Sequence, residues 1–332
     1  LYVLAGSNKN DLRSNEASIK YFLMGAFATG FLLFGIALIY GSTISFDLYK
    51  IHEFSLANPK NLMFTMGAVL MLIAMAFKVS MAPFHMWSPD VYQGSHSLIT
   101  AFMMSVVKIA AFYAFFRMMT IGFFGITGDW INILGVLIII TLFLANTMGL
   151  AQSNAKRMLA YSSVSHVGYL ALIFFGLNSL SAYNLAFYLF AYSLATIGVM
   201  MCLIWVEKLK RETSFEAFKG LAHSEPILAI VAAISMLSMA GIPLTAGFMG
   251  KFGIFAQAIK DTPFLVLVAV LGSAISIAYY LRLIMVMFFP KESTFKTSER
   301  VSLTYNIVGV FIIFALIALG IFPDLFAKQF GL

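Results

Sequence analysis

The sequence predicts an all-α, polytopic membrane protein: about nine transmembrane helices, two of them broken, in a single transmembrane domain over residues 1–332. Three observations predict it. Hydrophobic residues make up 61% and charged residues 11% of the 332, and mean hydropathy is +0.93, whereas soluble domains carry roughly 25% charged residues. Apolar stretches of about 20 residues, enough to cross ~30 Å of hydrocarbon, recur along the whole chain. Two of them are longer than a crossing needs and contain Pro83 and Pro243, where a helix is interrupted. A water-soluble fold of this length cannot bury that much apolar surface.

In chain order the spans fall at 19–41, 61–86, 97–120, 130–151, 158–178, 182–206, 226–258, 263–289 and 302–325. The second carries Lys78 in LMLIAMAFKVSMAPF, and the third carries Lys108 in AFMMSVVKIAAFYAFF. The fifth holds His166 beside Ser162, Ser163 and Ser165. The sixth holds the lone cysteine, Cys202, which reads as core packing. The seventh runs SMAGIPLTAGFMGKFGIF through Pro243 to Lys251. Both long spans pair a proline break with a lysine, in reversed order, which suits an inverted-topology repeat with discontinuous helices. No basic n-region of a signal peptide opens the chain. LYVLAG reads instead as the tail of a helix that begins upstream, so the sequence is expected to be N-terminally truncated.

Lysine and arginine sort the connections. Of 21, twelve fall in 1–20, 87–96, 152–157, 207–225 and 290–301. Five (Lys50, Lys60, Arg117, Lys260 and Lys328) fall on the other side, and four (Lys78, Lys108, Lys251 and Arg282) lie inside spans. The asymmetry puts the residue 1 end in the cytoplasm and the C-terminus outside. It also accounts for the net charge of +7, which gives no reason to invoke nucleic acid. The longest polar connection, EKLKRETSFEAFKGLAHSEP at 207–226, is too short to fold alone; it is a solvated linker or a short surface helix against a partner.

An ammonium near a bilayer midplane costs roughly 2.5–3.5 kcal/mol on insertion scales, so three lysines at that depth point to a path for ions or protons. Lys108 lies roughly 17 Å along its span, too deep to reach water by snorkelling, whereas Arg117 and Arg282 sit near span ends and snorkel. A buried lysine changes its proton affinity easily with desolvation and neighbouring charge; arginine stays protonated. His166 is either a relay, since histidine titrates nearest neutrality, or a neutral ring hydrogen-bonded across a helix interface. His85, in PFHMWSPD, reads as a structural turn residue at the membrane edge. His52, His96 and His223 have no metal-ligand spacing, so no metal is expected. No phosphate-binding loop, HExxH or haem motif occurs, and one cysteine excludes an iron–sulfur cluster held by this chain alone. Power for ion movement is therefore expected from another subunit or a gradient. A solute carrier with its substrate at the proline breaks is a rival reading.

FKVSMAPFHMWSPDVYQG (77–94), NAKRMLAYSSVSHVGYL (154–170) and SMLSMAGIPLTAGFMGKF (235–252) closely resemble subunit N of the bacterial proton-pumping NADH:quinone oxidoreductase, complex I. The resemblance runs from NEASIKYFLMGA (15–26) to GSAISIAYYLRLIMVMFF (272–289); the last helix is generic. It implies an antiporter-like fold in the bacterial inner membrane, with a periplasmic C-terminus. Lys78, Lys108, Lys251 and His166 would then form a proton relay, beside other membrane-arm subunits. NADH, FMN, iron–sulfur clusters and quinone would belong to partner subunits, with no cofactor in this chain. Mrp-type cation/proton antiporters and membrane-bound hydrogenases share the plan and are the alternatives. Two departures stand out. His96 occupies the place of a family proline after DVYxGx, and the glutamate that pairs with the Lys78 counterpart would lie in the helix ending at LYVLAG.

Overall fold

The computed structural model describes residues 1–290, 295 and 299–327, and no strand occurs among them. After one helical turn at Tyr2–Ala5 come α1 (Leu12–Thr43), α2 (Leu48–Ala57), α3 (Leu62–Val79) and α4 (Trp87–Gly94). The helices α5 (Ser97–Gly122), α6 (Phe124–Leu150), α7 (Ala155–Ala171) and α8 (Ser181–Lys210) follow. The last four are α9 (Pro226–Ala240), α10 (Ala246–Ala258), α11 (Pro263–Phe288) and α12 (Leu303–Ile321). Among the described residues seven (α1, α3, α5, α6, α8, α11 and α12) are long and apolar enough to cross a membrane. The two further expected spans take another form. The 158–178 stretch is α7, only 17 residues long and loaded with hydroxyls, and 226–258 is the half-helix pair α9 and α10.

The helix ends follow from local chemistry. Asp11 and Asn61 cap α1 and α3 through their side-chain oxygens, and Thr245 caps α10. Such caps satisfy amide donors that the helix itself leaves free. His96 does the same for α5: its Nδ1 accepts from the Leu98 amide at 3.3 Å. The departure from proline therefore keeps a helix start there, by capping. Gly241, at φ +85°, closes α9, a conformation that costs other residues more. Ser80 closes α3 in the same left-handed region at φ 67°, so the first break falls right after Lys78. Between Ser80 and α4, the peptide from Ala82 to Pro83 is cis. The Ala82 amide donates to Thr141 Oγ1 at 2.9 Å, and Trp87 Nε1 donates to the Phe77 carbonyl at 3.0 Å.

The centre of the bundle is α7, in which every residue but Arg157 is buried. A helix this polar can sit there only if its neighbours satisfy its side chains. Cys202 is buried among apolar neighbours, as the sequence reading expected. The outer helices pack by close approach. A Cβ on Gly35 would lie 2.9 Å from the Gly67 carbonyl oxygen, so the α1 and α3 backbones nearly touch, as small residues allow in membrane helices.

The basic-rich connections meet at one end. Asp90, before the end of α4, takes hydrogen bonds from Lys20 at 2.9 Å and Arg157 at 2.8 Å. Lys156 pairs with Glu207 at 3.4 Å, Lys208 with Glu299 at 2.6 Å, and Ser224 Oγ donates to the Phe295 carbonyl. Segments 1–20, 87–96, 152–157, 207–225 and the described residues of 290–301 thus share a face, as the charge count grouped them; Lys291, Lys296 and Lys328 lie outside the described residues. The 207–226 connection is not a solvated linker; it holds two short helical turns, Phe215–Phe218 and Leu221–Ser224, packed against this chain. Phe215, Phe218 and Leu221 are buried, and the Phe215 amide donates to Ser153 while the Ala155 amide donates to Thr213. Its aromatic residues tie the loop down against the start of α7.

Burial opposes ionisation of Asp90, but hydrogen bonds from Lys20 and Arg157 outweigh it and hold the carboxyl below its ordinary 3.8. The sign follows from linkage. The stabilisation is complete above the ordinary carboxyl value and is lost as pH falls through the folded-state value. Asp90 is about a third exposed, so screening keeps the effect near 1 kcal/mol. Asp90→Asn is expected to lower the thermal midpoint of the purified protein at pH 7. Wild type and variant should converge in acid, at about pH 2, and a gap that persists there would refute the clamp.

Candidate functional site

Two of the three lysines at lipid depth and the histidine line up through the bundle centre. Lys108 follows a π-helical turn at Met103–Val107 in α5 and is 3% exposed. Its Nζ donates to the Ser163 carbonyl at 2.8 Å and to Ser163 Oγ, beneath the Tyr192 ring face at 6.0 Å. His166 lies one turn further along α7. Its Nδ1 meets the Tyr188 hydroxyl at 2.8 Å, and its Nε2 meets the Tyr280 hydroxyl at 3.4 Å. Tyr280 also hydrogen-bonds Ser162. Both ring nitrogens therefore have hydroxyl partners, and the tautomer depends on which of them donates.

Lys251 lies on α10, 4% exposed, and points back at the break. Its Nζ donates to the Ala240 carbonyl at 3.0 Å and to Ser273 Oγ at 2.8 Å. Ala240 is the last residue of α9, where the half-helix leaves carbonyls free and carries the negative end of its dipole. The break thus supplies what an ammonium needs: a carbonyl, a hydroxyl and a favourable field. The Tyr169 ring face lies 4.6 Å from the same nitrogen.

Lys78 stands apart. It is in the last turn of α3 and exposed on a cleft of about 360 Å³. Tyr2, Tyr21, Thr29 and Trp87 line the cleft, together with Val107 and Ala110 of the Lys108 helix. Among the described residues Lys78 has no hydrogen-bond or ion-pair partner, so the expected carboxylate is not met here. His85 is buried in the turn between α3 and α4, with Nδ1 unpartnered among the described residues. No cluster of metal ligands occurs among the described residues.

The sequence reading missed the side chains that hold the titratable groups: Tyr188, Tyr280, Tyr169, Asn146 and Ser273. The available signal was polar spacing inside spans, such as Tyr188, Tyr192 and Thr196 at four-residue steps on α8, which share one helix face. Lys156, counted as a loop residue, is 2% exposed and donates to the Ser95 carbonyl at 2.5 Å.

A sequence model of the family described as NADH:quinone oxidoreductase/Mrp antiporter, TM matches residues 1–276. NADH-quinone oxidoreductase subunit N of Cytophaga hutchinsonii is 44% identical over 327 residues, spanning 98% of this chain and 70% of the relative. A chain of respiratory complex I from Thermus thermophilus, solved with bound aureothin, matches with TM-score 0.81 at 34% identity, over 98% of this chain and 70% of that one. A chain of the Mrp complex from Dietzia sp. DQ12-45-1b shares the fold, with TM-score 0.86 at 21% identity over 95% and 66%.

Proposed function

The chain belongs to the NADH:quinone oxidoreductase/Mrp antiporter transmembrane family, and on that premise we propose that it is a proton-translocating membrane-arm subunit of a respiratory NADH:quinone oxidoreductase. The observation that carries the reading is the buried row itself: Lys108 on Ser163, His166 between Tyr280 and Tyr188, and Lys251 at the α9 end. NADH oxidation and quinone reduction occur in partner subunits, which hold the NADH, FMN, iron–sulfur and quinone sites; this chain holds none. The protein lies in the bacterial inner membrane among other membrane-arm subunits, with the residue 1 end cytoplasmic and the C-terminus periplasmic.

Each group has a distinct task. The Lys108 ammonium gives a proton towards α7, whose Ser162 and Ser163 hydroxyls can both donate and accept. His166 takes a proton at one ring nitrogen and releases one at the other. Lys251 exchanges protons at the break, where the helix-end carbonyl favours the charged form and a shift of charge nearby favours its loss. Lys78, in its own cleft, answers to charge outside the row.

The test separates a titrating amine from a hydrogen-bonding one. Lys251→Gln keeps a donor for the Ala240 carbonyl and cannot carry a proton. Protons pumped per NADH oxidised by vesicles bearing the assembled complex should fall about a hundredfold, the lower end of general acid–base effects. A wild-type ratio would sink the reading.

A further inference from the structure

The hydrogen bonds leave a gap between the His166 group and Lys251, and one side chain fills it. Tyr169, on α7 one turn beyond His166, is fully buried. Its ring meets the His166 ring edge to face at 5.7 Å, and its face lies 4.6 Å from Lys251 Nζ. Its hydroxyl is held by Asn146 of α6, whose Nδ2 lies 3.3 Å away and is itself anchored on the Leu142 carbonyl at 2.8 Å. Tyr279 of α11 donates to the same Asn146 at 3.4 Å. A phenol face attracts an ammonium and ignores a neutral amine. It offers no lone pair to a proton in transit, so it holds Lys251 without relaying for it.

We propose that Tyr169, anchored at its hydroxyl by Asn146, is a positioning residue that keeps the protonated Lys251 at the α9/α10 break and away from His166. This rests on the reading of Lys251 as a proton-carrying group. Tyr169 of α7 is in contact with Lys251 Nζ, with His166 behind its ring, and the neighbouring helices bring the buried phenols Tyr188 (α8), Tyr279 and Tyr280 (α11). Lys108 lies beyond His166, α9 carries no titratable residue, and α12 brings only Tyr305, whose hydroxyl bonds the Met201 carbonyl. Removing the ring face weakens the hold on the ammonium about 30-fold, the equivalent of roughly 2 kcal/mol for a desolvated cation–π contact. Lys251 then loses its proton at a lower pH.

The experiment measures protons pumped per NADH against pH in vesicles bearing the assembled complex. With Tyr169→Leu the ratio should fall at least fivefold at neutral pH, and the midpoint of its alkaline decline should move down by about 1.5 pH units. Tyr169→Phe keeps the face and should recover the ratio to within about threefold of wild type, with the midpoint in place. If the leucine variant does not assemble, Tyr169→Met, longer and more adaptable at the same volume and without a π face, is read in the same way. The proposal is overturned if the aliphatic variant pumps as wild type, if phenylalanine fails equally, or if amplitude falls with an unmoved midpoint. Lys251→Gln tells the two ideas apart. Normal pumping there removes the functional reading, whereas loss there with an indifferent Tyr169 removes only this inference.

Discussion

Lys108→Ala is expected to leave the complex assembled and to reduce its NADH-driven proton pumping by about two orders of magnitude, the span of a lost acid–base group. Assembly survives because little is orphaned. The Ser163 carbonyl that accepts from Lys108 lies inside α7 and keeps its helical amide, while Ser163 Oγ can turn to a backbone carbonyl as mid-helix serines do. The cavity left by the lysine stem destabilises, but the same change removes a charge from a 3% exposed site, and the two effects oppose. Function has no such compensation. No other amine in the row reaches Ser163, and alanine cannot take or give a proton. Proton uptake by vesicles, measured beside the amount of assembled complex, checks the outcome. Near-normal uptake would mean that Lys108 is static.

How much of this was legible differs residue by residue. Lys108 and Lys251 were found because an amine at lipid depth is costly, and that cost is independent of any fold. Their partners were not, because tyrosine, serine and asparagine inside a span are common and only three dimensions bring them together. Tyr280 and His166 are 114 residues apart and meet at 3.4 Å. Lys78 shows the limit of the cost argument. Depth along a span says nothing of which way a side chain faces, and this one faces a separate cleft rather than the row. Lys156 failed in the opposite sense: its place in a basic connection suggested solvent, yet α8 closes over it and Glu207 answers its charge.

The breaks were legible as prolines, but what clamps them was not, and that leads to the second large effect. Gly247→Ala is expected to destabilise the protein by at least roughly 3 kcal/mol, the upper range for overpacking. The reason is geometric. A Cβ at 247 would lie 1.9 Å from the Ser238 carbonyl oxygen, well inside van der Waals contact, and its neighbour is backbone that cannot swing aside. Ser238 Oγ also accepts the Gly247 amide at 3.0 Å, so the first turn of α10 is pinned to the last turn of α9. The outer helix adds a second restraint: a Cβ on Gly320 of α12 would lie 2.4 Å from the Leu244 carbonyl oxygen, leaving the loop no room to retreat. Relief can come only by parting α9 from α10, which also pulls Lys251 off the Ala240 carbonyl. Thermal unfolding of the purified protein should show a midpoint several degrees lower, by roughly 2–4 °C per kcal/mol for larger chains, and pumping per assembled complex should fall with it. Ser238→Ala removes only the hydroxyl contact and should cost about 1 kcal/mol. If Gly247→Ala costs no more than that, the half-helices are not clamped as this geometry requires.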